Sequence, residues 1–109
     1  MTTVGDIMNY LEQIAPLKYQ MDYDNAGLLT GSAGMQVSKV LVSLDCTEEI
    51  VEEAVQKSAN VVLSHHPIIF KGLKQLIGKN YIERTVIKAI KNDIALLAWH
   101  TNLDSVMSN

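Results

Sequence analysis

Residues 39–67 read KVLVSLDCTEEIVEEAVQKSANVVLSHHP, and this stretch decides the fold. Residues 39–45 (KVLVSLD) are short, apolar and rich in Val and Leu, which predicts a strand. Thr47 then opens a helix whose acids, Glu48, Glu49, Glu52 and Glu53, lie toward its N-terminus, where the helix dipole favours them. Ile50, Val51, Ala54 and Val55 form its inward stripe, and the glutamates read as a solvated face. Residues 60–64 (NVVLS) predict a second strand. Strand, helix and strand at this spacing make a βαβ unit, a connection that closes right-handed.

The pattern repeats downstream. Residues 81–92 predict a helix with Ile82, Val86, Ile87 and Ile90 inward and Asn92 as a left-handed stop, and residues 94–99 (IALLAW) predict a third strand. Upstream, Val4, Ile7, Met8, Leu11, Ile14 and Ala15 recur at helical steps, with Thr3 and Asp6 suited to the first turn and Pro16 closing the helix. Residues 17–38, rich in Asp, Asn, Ser and Gly, read as loop. All three strands are apolar on both faces, as parallel strands are when helices cover both sides. The expected architecture is α/β, a largely parallel sheet of βαβ units covered by helices on both faces, with residues 1–109 as a single domain.

Composition narrows the function classes. The chain has nine Lys and Arg against twelve Asp and Glu, a net charge of −3, and Arg84 is its one arginine. That balance excludes a strong grip on a nucleic-acid backbone. Cys46 stands alone, so there is no internal disulfide framework and no cysteine-based zinc finger, and it reads as a small packing residue. No apolar run approaches the ~20 residues that cross a bilayer. The first charged residue is Asp6, with no basic leader ahead of it, so no membrane partner and a cytoplasmic location are expected.

Ligands of parallel α/β sheets bind beyond the carboxyl ends of the strands, where the loops converge. Asp45 follows the first strand, His65-His66-Pro67 the second, and His100-Thr101-Asn102-Leu103-Asp104 the third, so all three histidines are expected just past a strand end. Pro67 holds His66 extended, and adjacent extended side chains point to opposite sides. The two imidazoles therefore suit two ions, or one ion and a supporting partner, better than chelation of one. Neutral imidazole with carboxylate fits Zn, Fe, Mn, Co or Ni. The residues read as a half-built N/O-ligand metal site, dinuclear when complete. Asp45 and Thr47 can each cap the following helix, and Asp45 is weighed toward that role. Asp24-Asn25 before Gly27 reads equally as turn chemistry, and Trp99 as core packing beside the site. Phosphate loops (GxxxxGK[ST], GxGxxG) and the GxSxG nucleophile elbow are absent.

Four stretches in order, Asp24 to Gly31 (DNAGLLTG), Val42 to Thr47 (VSLDCT), Ser64 to Phe70 (SHHPIIF) and His100 to Asp104 (HTNLD), resemble the N-terminal half of the Nif-three-like proteins, the GTP cyclohydrolase I type 2 homologues. The resemblance covers essentially the whole chain. It implies one half of a duplicated α/β fold, two divalent metal ions per complete site (Zn, Fe or Mn) and a ring-like homo-oligomer. It also implies that His65, His66 and Asp104 are metal ligands and that His100 lines the site. The family's remaining ligands, a His and a nearby Glu, come from a C-terminal segment, whereas this sequence ends at Asn109. Partial or no metal occupancy is therefore expected of this chain.

Two functions follow from these residues. One is a metal-dependent hydrolase acting through a metal-bound water on a small nucleotide substrate, with His100 as the catalytic proton shuttle. The alternative is a non-enzymatic metal-handling or scaffold protein. In a third case, without metal, the histidines simply pack.

Overall fold

In the computed structural model, which describes residues 1–14, 27–66 and 75–99, Thr3 and Asp6 cap helix α1 (Val4–Ile14) reciprocally. The Thr3 amide donates to Asp6 Oδ2 over 2.9 Å and the Asp6 amide to Thr3 Oγ1 over 3.2 Å. Two amides that a first turn leaves unpaired are thus satisfied. The remaining elements are β1 (Gly27–Thr30), β2 (Val40–Asp45), α2 (Glu48–Gln56), β3 (Val61–His66), α3 (Tyr81–Lys91) and β4 (Ala95–Ala98). Among the described residues no helix is long and apolar enough to cross a membrane.

The strands form one sheet in the order β1-β4-β3-β2. The β2/β3 and β3/β4 pairs are parallel, as the two crossovers through α2 and α3 require. The fourth strand is a correction to the expected loop over residues 17–38: β1 runs antiparallel to β4, pairing Gly27 with Ala98 and Leu28 with Leu97. A four-residue strand that begins at one glycine of positive φ (Gly27, +102°) and stops before another (Gly31, +93°) carries too little periodicity to declare itself. Thr30 anchors the strand through its buried hydroxyl, which donates to the Ile94 carbonyl and accepts from the Leu96 amide, both over 3.1 Å.

The alternation of strand side chains sorts the core into two layers. Val62 and Leu96 face α2 and α3, packing on Val51, Ala54, Val86 and Ala89. On the opposite face Val61, Ala95 and Leu97 meet Val4 with Ile7 and Met8 of α1, and Trp99 packs on Leu11, as core packing predicts. Helices thus lie on both faces of the central strands. The outer strand β2 departs from the expectation of full coverage: Val42 and Leu44, on the α1 side, are 68% and 63% exposed.

Helix α2 starts as the sequence predicts, with Thr47 accepting from the Ile50 amide over 3.2 Å. The glutamates of α2 are less free than a solvated face, because Glu48 pairs with Arg84 and Glu52 with Lys88 across to α3. Helix α3 ends at Lys91, one residue before the expected end, and its left-handed residue comes one position after the expected Asn92. Asn92 keeps a negative φ of −104°, and Asp93 takes the left-handed conformation (φ 54°). The Asn92 side chain donates to the Lys88 carbonyl, so it closes the last turn from within the right-handed region. Ile90, expected inward, is 52% exposed, while Thr85 and Ala89 take its place in the core.

Candidate metal centre

Strand β3 carries both histidines. The expectation that they lie past the strand end is corrected by the pairing with β2, which runs on to place Asp45 opposite His66 in register. Parallel partners in register share a face, so the last residue of β2 and the last of β3 project side by side. Their side chains meet: His66 Nδ1 and Asp45 Oδ1 are 2.6 Å apart, with the imidazole 40% and the carboxylate 58% exposed.

The backbone holding this pair is pinned symmetrically. Ser43 and Ser64 are register partners, each two residues before a site residue. Ser43 Oγ donates to the Asp45 carbonyl over 2.7 Å, and Ser64 Oγ donates to the His66 carbonyl over 2.8 Å. The Trp99 amide, just beyond β4, donates to the Ser64 carbonyl over 3.0 Å and carries the ladder to the same rim.

His65 alternates onto the α1 side, and both of its ring nitrogens are shielded from solvent. Alternation sets only the Cα–Cβ direction, and the imidazoles turn back toward each other. Their ring centroids are 4.8 Å apart with the planes at 76°. Two imidazoles on one tetrahedral ion at ~2.0–2.1 Å place their centroids on the order of 5 Å apart, close to the separation seen. A pair of neutral nitrogen donors beside a carboxylate is a donor set that fits Zn, Fe or Mn.

Among the described residues, no three His, Cys, Asp or Glu side chains form a complete ion-binding cluster. The other two site residues read from the sequence, His100 and Asp104, lie outside the described residues, as do Asp24, Asn25 and Pro67. The sequence weighed Asp45 toward capping α2. Thr47, not Asp45, caps α2, and the carboxylate turns to His66 instead. The signal was present in the matching stretches Val42-Ser43-Leu44-Asp45 and Leu63-Ser64-His65-His66, a serine two residues before a polar strand end in each. Cys46, next to Asp45, is buried, and burial pushes its thiol up to about 11, as suits a packing residue rather than a nucleophile.

The family described as Duf34/NIF3 (NGG1p interacting factor 3) matches residues 2–108. A Clostridium perfringens protein named GTP cyclohydrolase 1 type 2 homolog is 41% identical over 103 residues, which is 94% of this chain and 39% of that protein. The crystal structure of Staphylococcus aureus protein SA1388 superposes with a TM-score of 0.89 at 43% identity, covering 94% of this chain and 33% of that one. A Bacillus cereus protein related to NIF3 gives 0.87 at 41% identity, with 94% and 28% covered. The chain thus spans well under half the length of the relatives it matches.

Proposed function

The chain belongs to the Duf34/NIF3 family, and from that premise we propose that it binds a divalent metal ion through His65 and His66, with Asp104 as third ligand and His100 lining the site. The observation that supports this most directly is the approach of the two imidazole rings at one rim of the sheet, 4.8 Å between centroids. Zn, Fe or Mn would fit these donors. When bound, such an ion supplies Lewis acidity.

The name GTP cyclohydrolase 1 type 2 homolog, borne by the curated relatives, supports a metal-dependent hydrolase with a small nucleotide substrate as the reading of the complete protein. In that reaction His65 and His66 bind, Asp45 holds His66 in place, and His100 moves a proton, imidazole being the side chain suited to that work near neutrality. A homo-oligomer working in the cytoplasm belongs to the same proposal.

Titration of the purified chain with Co(II), followed by its visible absorption, tests the site. Saturable absorption that is lost in His65→Ala and His66→Ala is expected. A spectrum the same for wild type and both variants would overturn the ligand assignment. Turnover of GTP with and without Mn, Fe or Zn tests the hydrolase reading. Stoichiometric metal with no turnover would favour metal handling instead.

A further inference from the structure

We infer that Asp45 is a positioning residue for His66, fixing the imidazole as the Nδ1–H tautomer so that Nε2 is the nitrogen presented to a ligand. The inference deepens the metal-binding reading and rests on it where affinity is concerned, although the tautomer can be read without any metal.

Three observations carry it. First, the 2.6 Å separation of Oδ1 from Nδ1 is that of a charge-assisted hydrogen bond, and a carboxylate can only accept, so the proton sits on Nδ1. The ring then has one lone pair for a ligand, on Nε2. Second, the contact is built into the sheet. Asp45 and His66 are register partners on adjacent parallel strands, and each carbonyl is held by the serine hydroxyl two residues earlier. The pairing is thus set by strand register rather than by a loop. Third, Asp45 has no competing task at the start of α2, because Thr47 provides the cap. A carboxylate that orients a ligating imidazole both fixes the ring and raises its basicity, and loss of such a partner typically costs roughly 10- to 100-fold in metal affinity.

The test has two readouts on the full chain. Nitrogen-15 NMR of the metal-free protein at about pH 8, above the usual imidazole range, reports the tautomer of His66. Wild type is expected in the Nδ1–H form. Asp45→Ala is expected to lose that preference, and Asp45→Asn, whose amide oxygen can still accept, to keep most of it. Zn affinity, measured by chelator competition, is expected to fall roughly 10- to 100-fold in Asp45→Ala and less in Asp45→Asn. Equal urea midpoints for the variants would show that the fold is intact. A His66 in the Nε2–H form in wild type, or one whose tautomer is unchanged in Asp45→Ala, overturns the inference. A wild type that keeps its Nδ1–H tautomer but binds no Zn instead overturns the metal reading and leaves the orienting role of Asp45 standing.

Discussion

Ser64 donates its hydroxyl hydrogen to the backbone carbonyl of His66, two residues further along the same strand, over 2.8 Å. Ser64 is buried, so this hydroxyl does not simply exchange one partner for water. Ser64→Ala is expected to cost about 1 kcal/mol, the net worth of one internal hydrogen bond, and to weaken Zn binding by loosening the end of β3. Urea denaturation and chelator competition measure the two effects. An unchanged affinity would mean that the strand end is held by its ladder alone.

Glu83 gives the fold an acid-sensitive point. Burial opposes its charge, but the amides of Lys79, Ile77 and Gly78, with the Lys79 ammonium, hold its carboxyl below the ordinary value of 4.5. Its own amide donates to Asn80 Oδ1 over 2.9 Å, the N-cap contact of α3, while its carboxylate accepts the amides of Ile77 and Lys79, both over 3.2 Å. A carboxyl depressed in the folded state stabilises above its unfolded value, and that contribution is lost as pH falls through the folded value. Stability should therefore decline below about 4.5 in wild type, with a shallower decline in Glu83→Gln. Thermal unfolding across that range reads the difference.

Cys46 should be inert while the protein is folded. With the thiol buried and its pKa near 11, almost no thiolate exists at neutral pH. Reaction with a thiol reagent such as DTNB should be slow in buffer and rapid in urea. Fast labelling of the native chain would contradict this packing.

Gly31 is expected to resist any side chain. Its φ of +93° disfavours L-residues, and a methyl there would stand 2.9 Å from both Ala95 Cβ and Met35 Sδ. Gly31→Ala should cost about 2–4 kcal/mol, from backbone strain and overpacking at the head of β4. Chemical denaturation measures it, and a loss within a few tenths of a kcal/mol would show that the loop yields.

Local signals made the two crossovers legible. Runs such as Val61-Val62-Leu63 and the stripe of α2 are properties of neighbouring residues, and they translate directly into strand and helix. What escaped depends on residues far apart in the chain. β1 exists because Gly27 and Leu28 pair with Ala98 and Leu97, about seventy positions away. β3 extends through His66 because β2 offers Asp45 as a partner, something Pro67 alone could not reveal. The site was read in the same way. The histidine pair was visible as a tripeptide with proline, whereas the Asp45–His66 contact spans 21 positions and hid behind an equally good local role for Asp45 as a helix cap.

The bare outer strand has a practical consequence. β2 is last in the sheet order and shows Val42 and Leu44 to water. A strand at the sheet's edge with apolar side chains facing water favours self-association at high concentration. Handling of this polypeptide in concentrated solution should improve when a lysine replaces Val42, a change on the face away from Asp45 and His66.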